Sequence, residues 1–171
     1  LRVMDRKETM KLLKAIAILF PASAPLAEEV ALDIWERNMR SIPFDIAYEA
    51  FNEYVVESRY APTISDIVKG AKKIQEENEK VLTRVRNTFV EICDMWGSKK
   101  SKELYDIFCD LVDLNGPDLN KSLGIALDMK EAAIEYIKDK ERIAIESGKE
   151  FTEIGSLKDW FEIYNTEVAK W

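Results

Sequence analysis

Apolar residues recur every three or four positions along almost the whole chain, the spacing that places them on one face of an α-helix. In the first half, this spacing predicts one helix that ends at Pro21, a second from Pro25 to about Arg40, and a third that opens after Pro43. The residues expected on the buried side of the second helix are Val30, Ile34, Trp35 and Met39.

The fourth predicted helix has the most sharply defined start. Pro62 disfavours helical backbone at the residue before it, so the preceding segment is extended. Thr63 is then placed as an N-cap, and Asp66 three residues later completes a capping-box-like pair. Helical spacing resumes beyond the polar stretch 75–80, which contains neither Gly nor Pro. One continuous helix over 64–96, or two helices with a kink, both fit this pattern.

The second half repeats the helical pattern. Helices are predicted to open at Ser101, Asp118 and Ser156, and the one from Asp118 either continues past Met129 or restarts there. Leu127 is expected in its buried face. No segment shows the two-residue alternation of a strand. The sequence predicts an all-α protein of seven to nine helices, in which an N-terminal four-helix bundle (1–78) joins a C-terminal helical lobe (79–171), through a long helix if 64–96 is continuous.

Charge is distributed unevenly between the two halves. Residues 1–100 carry 16 Lys and Arg against 16 Asp and Glu, whereas residues 101–171 carry 9 against 16. The net charge of −7 therefore comes from the last 71 residues. No apolar run approaches the roughly 18 residues of a membrane span, and the start lacks the layout of a secretory signal. With Cys93 and Cys109 interpreted as buried reduced thiols, these features predict a cytoplasmic protein.

The composition excludes several classes of chemistry. The chain contains no histidine, which excludes Ser-His-Asp and Cys-His catalysis and zinc sites that need imidazole. No phosphate-binding GxxxxGK[ST] or GxGxxG loop occurs. Carboxylate pairs such as Asp110 with Asp113, or Glu131 with Glu135, are interpreted as solvated helix faces rather than a metal-dependent nuclease site. We therefore predict no enzymatic activity, no metal and no cofactor.

Three surface features are candidates for partner binding. An acidic face could meet a basic patch on a DNA enzyme or imitate a DNA strand, and it comprises Asp106, Asp110, Asp113, Asp128, Glu131, Glu135 and Asp139. A basic cluster could contact nucleic acid or a partner, and it comprises Lys69, Lys72, Lys73, Lys80, Arg84 and Arg86. Trp171, at the end of an aromatic stripe with Trp160, Phe161 and Tyr164, could anchor a partner or a homodimer. Solvated helix faces, and core packing of the aromatic stripe, are the simpler interpretations.

Four stretches within residues 5–75 form a recognisable set: Leu12-Leu13 with Phe20-Pro21, Ile34-Trp35, Ile42-Pro43-Phe44 and Ala61-Pro62-Thr63-Ile64-Ser65-Asp66-Ile67. Through these stretches, residues 5–75 resemble the N-terminal domain of the phage replicative-helicase loader and inhibitor family. The resemblance implies a helical scaffold and a protein that binds a hexameric replicative helicase, holds it inactive and helps to deliver it to an origin.

In that family, the region after the helical domain engages the helicase and is flexible when free. Here, the corresponding region is long, rich in aromatic residues and periodic enough to fold, so no helicase-contacting residue carries over by position. The alternatives are an acidic inhibitor of a nucleic-acid-binding defence enzyme, similar to anti-CRISPR proteins, and a DNA-binding replisome organiser. The acidic second half argues against strong direct binding to nucleic acid.

Overall fold

The structure, a computed structural model, describes residues 4–22, 29–114, 118–148, 150–151 and 155–168. These residues contain seven α-helices and no strand, so the all-α prediction is confirmed. The helices are α1 (Arg6–Leu19), α2 (Glu29–Met39), α3 (Phe44–Glu57), α4 (Ile64–Met95), α5 (Lys102–Leu111), α6 (Leu119–Glu146) and α7 (Leu157–Val168). The predicted opening of the second helix at Pro25 lies outside the described residues.

The chain divides into two compact units, which we call unit 1 (Leu1–Glu77) and unit 2 (Asn78–Trp171). Helix α4 contributes residues to both, as a single helix of 32 residues. The polar stretch 75–80 therefore does not interrupt the helix, which decides between the two alternatives left open by the sequence. Helix α6 is likewise continuous over 28 residues, without a restart at Met129. None of the described helices combines the length and apolarity that a bilayer crossing requires.

The start of α4 is held by the predicted capping pair. The backbone N–H of Asp66 donates to Thr63 Oγ1 (3.3 Å), and the backbone N–H of Thr63 donates to Asp66 Oδ2 (2.8 Å). The Thr63 hydroxyl donates a further hydrogen bond to the same carboxylate oxygen at 2.7 Å. These bonds from the backbone and side chain of Thr63 lower the pKa of Asp66. The N-cap prediction is confirmed, and the same arrangement occurs at α1 between Asp5 and Glu8.

Replacing Thr63 with alanine is expected to lower the free energy of unfolding by about 1 kcal/mol, since one cap is lost. Because folding lowers the pKa of Asp66, its contribution is fully present above the ordinary carboxyl value of 3.8 and is lost as the pH falls through the lower folded-state value. Thr63→Ala should therefore lower the free energy of unfolding more at neutral pH than in acid. Chemical denaturation at both pH values measures this, with the exposed Ser65→Ala as control. An equal loss in both variants contradicts the capping role.

The core of unit 1 draws buried side chains from all four of its helical segments. They are Leu12, Leu13 and Ile16 of α1, Leu32, Trp35 and Met39 of α2, Ile46, Ala47, Ala50 and Phe51 of α3, and Ile67, Ala71 and Ile74 of α4. Met4 and Ile42 complete the cluster. One close approach is between Gly70 and α3, where a Cβ added to the glycine would lie 3.0 Å from the Ala50 Cβ.

For α2, two of the four residues that were predicted to be buried are exposed. Trp35 and Met39 are buried together with Leu32, but Val30 and Ile34 are 71% and 51% exposed. With about 100° of rotation per residue, Leu32 and Met39 share one face of the helix, while Val30 and Ile34 lie on the opposite face. The apolar spacing in α2 was therefore compatible with two faces, and packing selected the one that carries Leu32.

The core of unit 2 is built around aromatic rings. Phe108 of α5 lies 5.3 Å from the ring of Phe89 in α4 and 6.4 Å from that of Phe161 in α7, measured between centroids. The other buried members are Val85, Ile92, Cys93, Val112, Leu123, Ala126, Met129, Ala133, Leu157 and Trp160. The expectation that Leu127 is buried is wrong, since it is 39% exposed. It lies outside the row of α6 that faces this core.

Candidate functional site

All seven residues of the predicted acidic face are exposed. Asp106 and Asp110 lie one turn apart on α5, and Asp113 follows the helix with a positive φ of 52°. The remaining four belong to α6 at positions 128, 131, 135 and 139. Steps of three and four residues keep side chains on the same side of a helix, so these carboxylates form one row along α6.

The structure brings two of these carboxylates, from different helices, into one hollow. Asp110 of α5 and Asp128 of α6 line a depression of about 430 Å³ together with Leu111, Ile125, Tyr164 and Asn165. Burial raises the pKa of Tyr164, and the charge of Asp128 raises it further. The hollow therefore combines acidic residues, apolar walls and a phenol ring, a composition suited to a basic side chain of a protein partner.

Most of the acidic face is not neutralised internally. Asp139 is bonded to Arg142, which also reaches Glu146 at 3.2 Å. Within the described ranges, the other six carboxylates form no ion pair. No group of three or more His, Cys, Asp or Glu side chains is placed to hold a metal ion in the part of the chain that the structure describes. Six of the seven carboxylates therefore present unpaired negative charge to solvent, and such charge attracts basic surfaces.

The predicted basic cluster is exposed along α4, but part of it is already paired. Lys73 lies 3.8 Å from a carboxylate oxygen of Glu53, and Arg86 bonds Glu79 at 2.9 Å. Lys69, Lys72, Lys80 and Arg84 form no ion pair with a described residue. Lys69, Lys72 and Lys73 belong to unit 1, whereas Lys80, Arg84 and Arg86 belong to unit 2.

The aromatic stripe of α7 belongs to the core of unit 2. Trp160 and Phe161 are buried, and Tyr164 is half-buried against them. Trp160 also lies 5.2 Å from Trp96, whose buried indole N–H has no hydrogen-bond partner among the described residues. Core packing, the simpler interpretation, is what the structure shows for these rings. Trp171, the proposed anchor, lies outside the described residues.

The two cysteines are free thiols. Cys93 is buried, as predicted, while Cys109 is only half-buried. Burial raises the pKa of both thiols, and the neighbouring charges of Asp106 and Asp110 raise that of Cys109 further. Since the thiolate is the reactive form, both thiols are poor nucleophiles at neutral pH.

One surface was not singled out from the sequence. A groove of about 510 Å³ in unit 1 is lined by Arg6, Lys7, Met10, Lys11, Lys14 and Leu32. The sequence alone could have placed Lys7, Lys11 and Lys14 on one face of a helix, since they are spaced at i, i+4 and i+7. The contribution of Leu32 from α2 was not readable, because it depends on how two helices pack.

The comparisons with known proteins concern the first unit. Residues 4–68 match the family model for the N-terminal domain of the phage helicase-loader and inhibitor proteins. The resemblance of this segment to that family is confirmed. The match runs from just before α1 into the first turns of α4, and it suggests a phage protein associated with a helicase. No curated protein and no solved structure matches the chain.

Proposed function

We propose that this protein is a non-enzymatic, phage-type regulator that binds a hexameric replicative DNA helicase through protein–protein contacts. The observation that carries the proposal is the match of residues 4–68 to the N-terminal domain of the helicase-loader and inhibitor family. The absence of histidine from the sequence and the raised pKa of both thiols fit a role without covalent chemistry. The protein acts by occupying a surface of the helicase.

The two units contribute differently to this activity. Unit 1 supplies a scaffold with its own buried core. The acidic face of unit 2 supplies the main contact, because six of its carboxylates are exposed and unpaired among the described residues. Such a face steers a basic partner surface into register and speeds the encounter. The hollow between Asp110 and Asp128 then receives a lysine or arginine side chain of the helicase.

Regulation requires that the protein distinguishes two states of the helicase. A ligand shifts a conformational equilibrium only by its difference in affinity for the two states. Tighter binding to a helicase conformation with low ATP turnover holds the ring inactive until another replication protein displaces the regulator. Inhibition and loading are then consecutive outcomes of one contact.

The charge reversal of Asp110, Asp128 and Glu131 to lysine is expected to weaken helicase binding by about tenfold or more, because attraction becomes repulsion. All three side chains are exposed, so the fold should persist. Binding is measured with the immobilised cognate helicase, and inhibition is measured as ATP turnover. The wild-type affinity should also fall as salt rises.

A matched control applies the same change of charge elsewhere. Asp45, Glu49 and Glu57 of α3 are exposed, and none forms an ion pair with a described residue. Their reversal to lysine should leave helicase binding within about twofold of wild type, since isolated surface charges contribute little. Equal losses in both triple variants would contradict a role for the acidic face. Absence of any complex with the wild-type protein would contradict the proposed function itself.

The unpaired acidic face also favours a second candidate, an acidic inhibitor of a nucleic-acid-binding defence enzyme. In that case, the carboxylate row on α6 takes the place of phosphates in a basic groove. The distinguishing measurement is competition. An inhibitor of this class must be displaced by DNA or guide RNA from the enzyme, whereas a regulator that binds the helicase at a protein surface does not need to compete with DNA.

A further inference from the structure

The groove in unit 1 has a charged rim and an apolar floor. Lys7, Lys11 and Lys14 follow one another along α1 at helical spacing, and all three are exposed. The half-buried Met10 and the buried Leu32 of α2 form the floor. The groove therefore offers apolar contact together with positive charge.

The lysines of this groove are available for an external partner. Arg6, at one end, is engaged by Asp33 at 2.6 Å and by Glu36 at 2.8 Å. By contrast, Lys7, Lys11 and Lys14 form no ion pair with any described residue. The Lys11 ammonium group lies 6.0 Å from the centre of the Phe44 ring, a cation–π distance at which its charge is not neutralised. The groove therefore carries three unneutralised positive charges.

The outer face of α7 has the opposite composition. Asp159, Glu162, Ile163, Thr166 and Glu167 line a shallow depression of about 380 Å³ on its surface. Ile163, at the centre, is 43% exposed. The nearby Lys158 is bonded to Glu103 at 2.7 Å, and the three carboxylates form no ion pair within the described ranges. This helix face thus presents three negative charges around one apolar side chain.

We propose that the basic groove on α1 binds the outer face of α7 from a second copy of this chain, with Ile163 over Met10 and Leu32 and the carboxylates of α7 against the three lysines. The row of lysines on α1 and the outer face of α7 each follow one helix, so they can lie along one another as packed helices do. Nucleic acid is disfavoured as the occupant, because phosphates make no use of the apolar floor.

The proposed contact joins two different surfaces, so it is heterologous. Each copy carries one groove and one acidic helix face, and association continues until a ring closes or the chain of copies ends. Exposed ion pairs contribute little individually, so the assembly should be weak and sensitive to salt. The carboxylates proposed for self-association are different from those of the acidic face, so the two contacts can be tested separately.

The test measures the mass of the full chain by sedimentation and by light scattering as protein concentration rises. At low salt, the mass should rise above that of the monomer, and at high salt it should return to the monomer. Reversing Lys7, Lys11 and Lys14 to glutamate should weaken self-association by about tenfold or more, as should reversing Asp159, Glu162 and Glu167 to lysine. Mixing the two triple variants should restore association, because each then complements the other.

The matched control reverses Lys99, Lys100 and Lys102, which are also exposed, to glutamate. Its association should equal that of wild type. A second variant, Ile163→Ala, tests the apolar part and should weaken association without a change of charge. A wild-type chain that stays monomeric at low salt overturns the proposal. Failure of the mixed variants to associate also overturns it. A third contrary outcome is a groove that binds duplex DNA while the triple lysine reversal leaves self-association unchanged.

Discussion

Replacing Phe108 with alanine is expected to destabilise unit 2 by about 3–5 kcal/mol, the usual cost of removing a fully buried phenylalanine. The side chain has no exposed surface, and it contacts rings from α4 and α7. Its removal leaves a cavity at the point where three helices meet. Since domains are stable by only about 5–15 kcal/mol, this single change should remove a large part of the stability of unit 2.

Urea denaturation followed by circular dichroism measures the Phe108 effect. The control is Phe151→Ala, which removes the same side chain from a position that is 38% exposed, and it should cost about 1 kcal/mol or less. A Phe108 variant no less stable than the Phe151 variant would show that the three rings do not form the centre of unit 2. Because the two cores share no buried residue, unit 1 should keep most of its own stability.

Replacing Gly70 with valine is expected to destabilise unit 1 by about 1–3 kcal/mol through overpacking. The added Cβ would lie 3.0 Å from the Ala50 Cβ, which is closer than two such atoms normally approach. The gain in helix propensity on leaving glycine, under about 1 kcal/mol, does not compensate for this clash. Helices α3 and α4 can approach closely here because α4 carries no side chain at position 70.

Gly124 provides the matched control for this experiment. It also lies within a helix, but apart from its chain neighbours and the backbone of its own helix, no described atom would come within 4 Å of its added Cβ. Gly124→Val should therefore be neutral or slightly stabilising by thermal denaturation. Combining Gly70→Val with Ala50→Gly should recover part of the loss, since the second change reopens the space. A Gly70 variant that behaves like the Gly124 variant would contradict close packing of α3 on α4.

The helices were predictable because their signals are local. The capping pair joins Thr63 to Asp66 within one turn of chain. The apolar spacing that continues from Ile64 can be recognised without knowledge of any tertiary contact. The burial of individual side chains was less predictable. Val30 and Ile34 satisfy the same helical spacing as Trp35, and only the packing of α1 on α2 decides which face is covered.

The candidate sites divide in the same way. The carboxylate row on α6 follows from spacing alone, so its members could be named from the sequence. The hollow that joins Asp110, Asp128 and Tyr164 could not, because it depends on three helices meeting in unit 2. The basic groove needs Leu32 beneath the lysines of α1, which again is a tertiary relation. The helices themselves could be predicted from the sequence, whereas the contacts between them could not.

The placement of the tryptophans supplies an optical reporter for each unit. Trp35 is the only tryptophan in residues 1–77, and it is buried in the first core. Trp96 and Trp160 lie within 5.2 Å of each other in the second core. The difference in fluorescence emission between wild type and Trp35→Phe therefore comes from the first core alone. The remaining signal comes from the tryptophans of unit 2, so the unfolding of the two units can be recorded separately in the same chain.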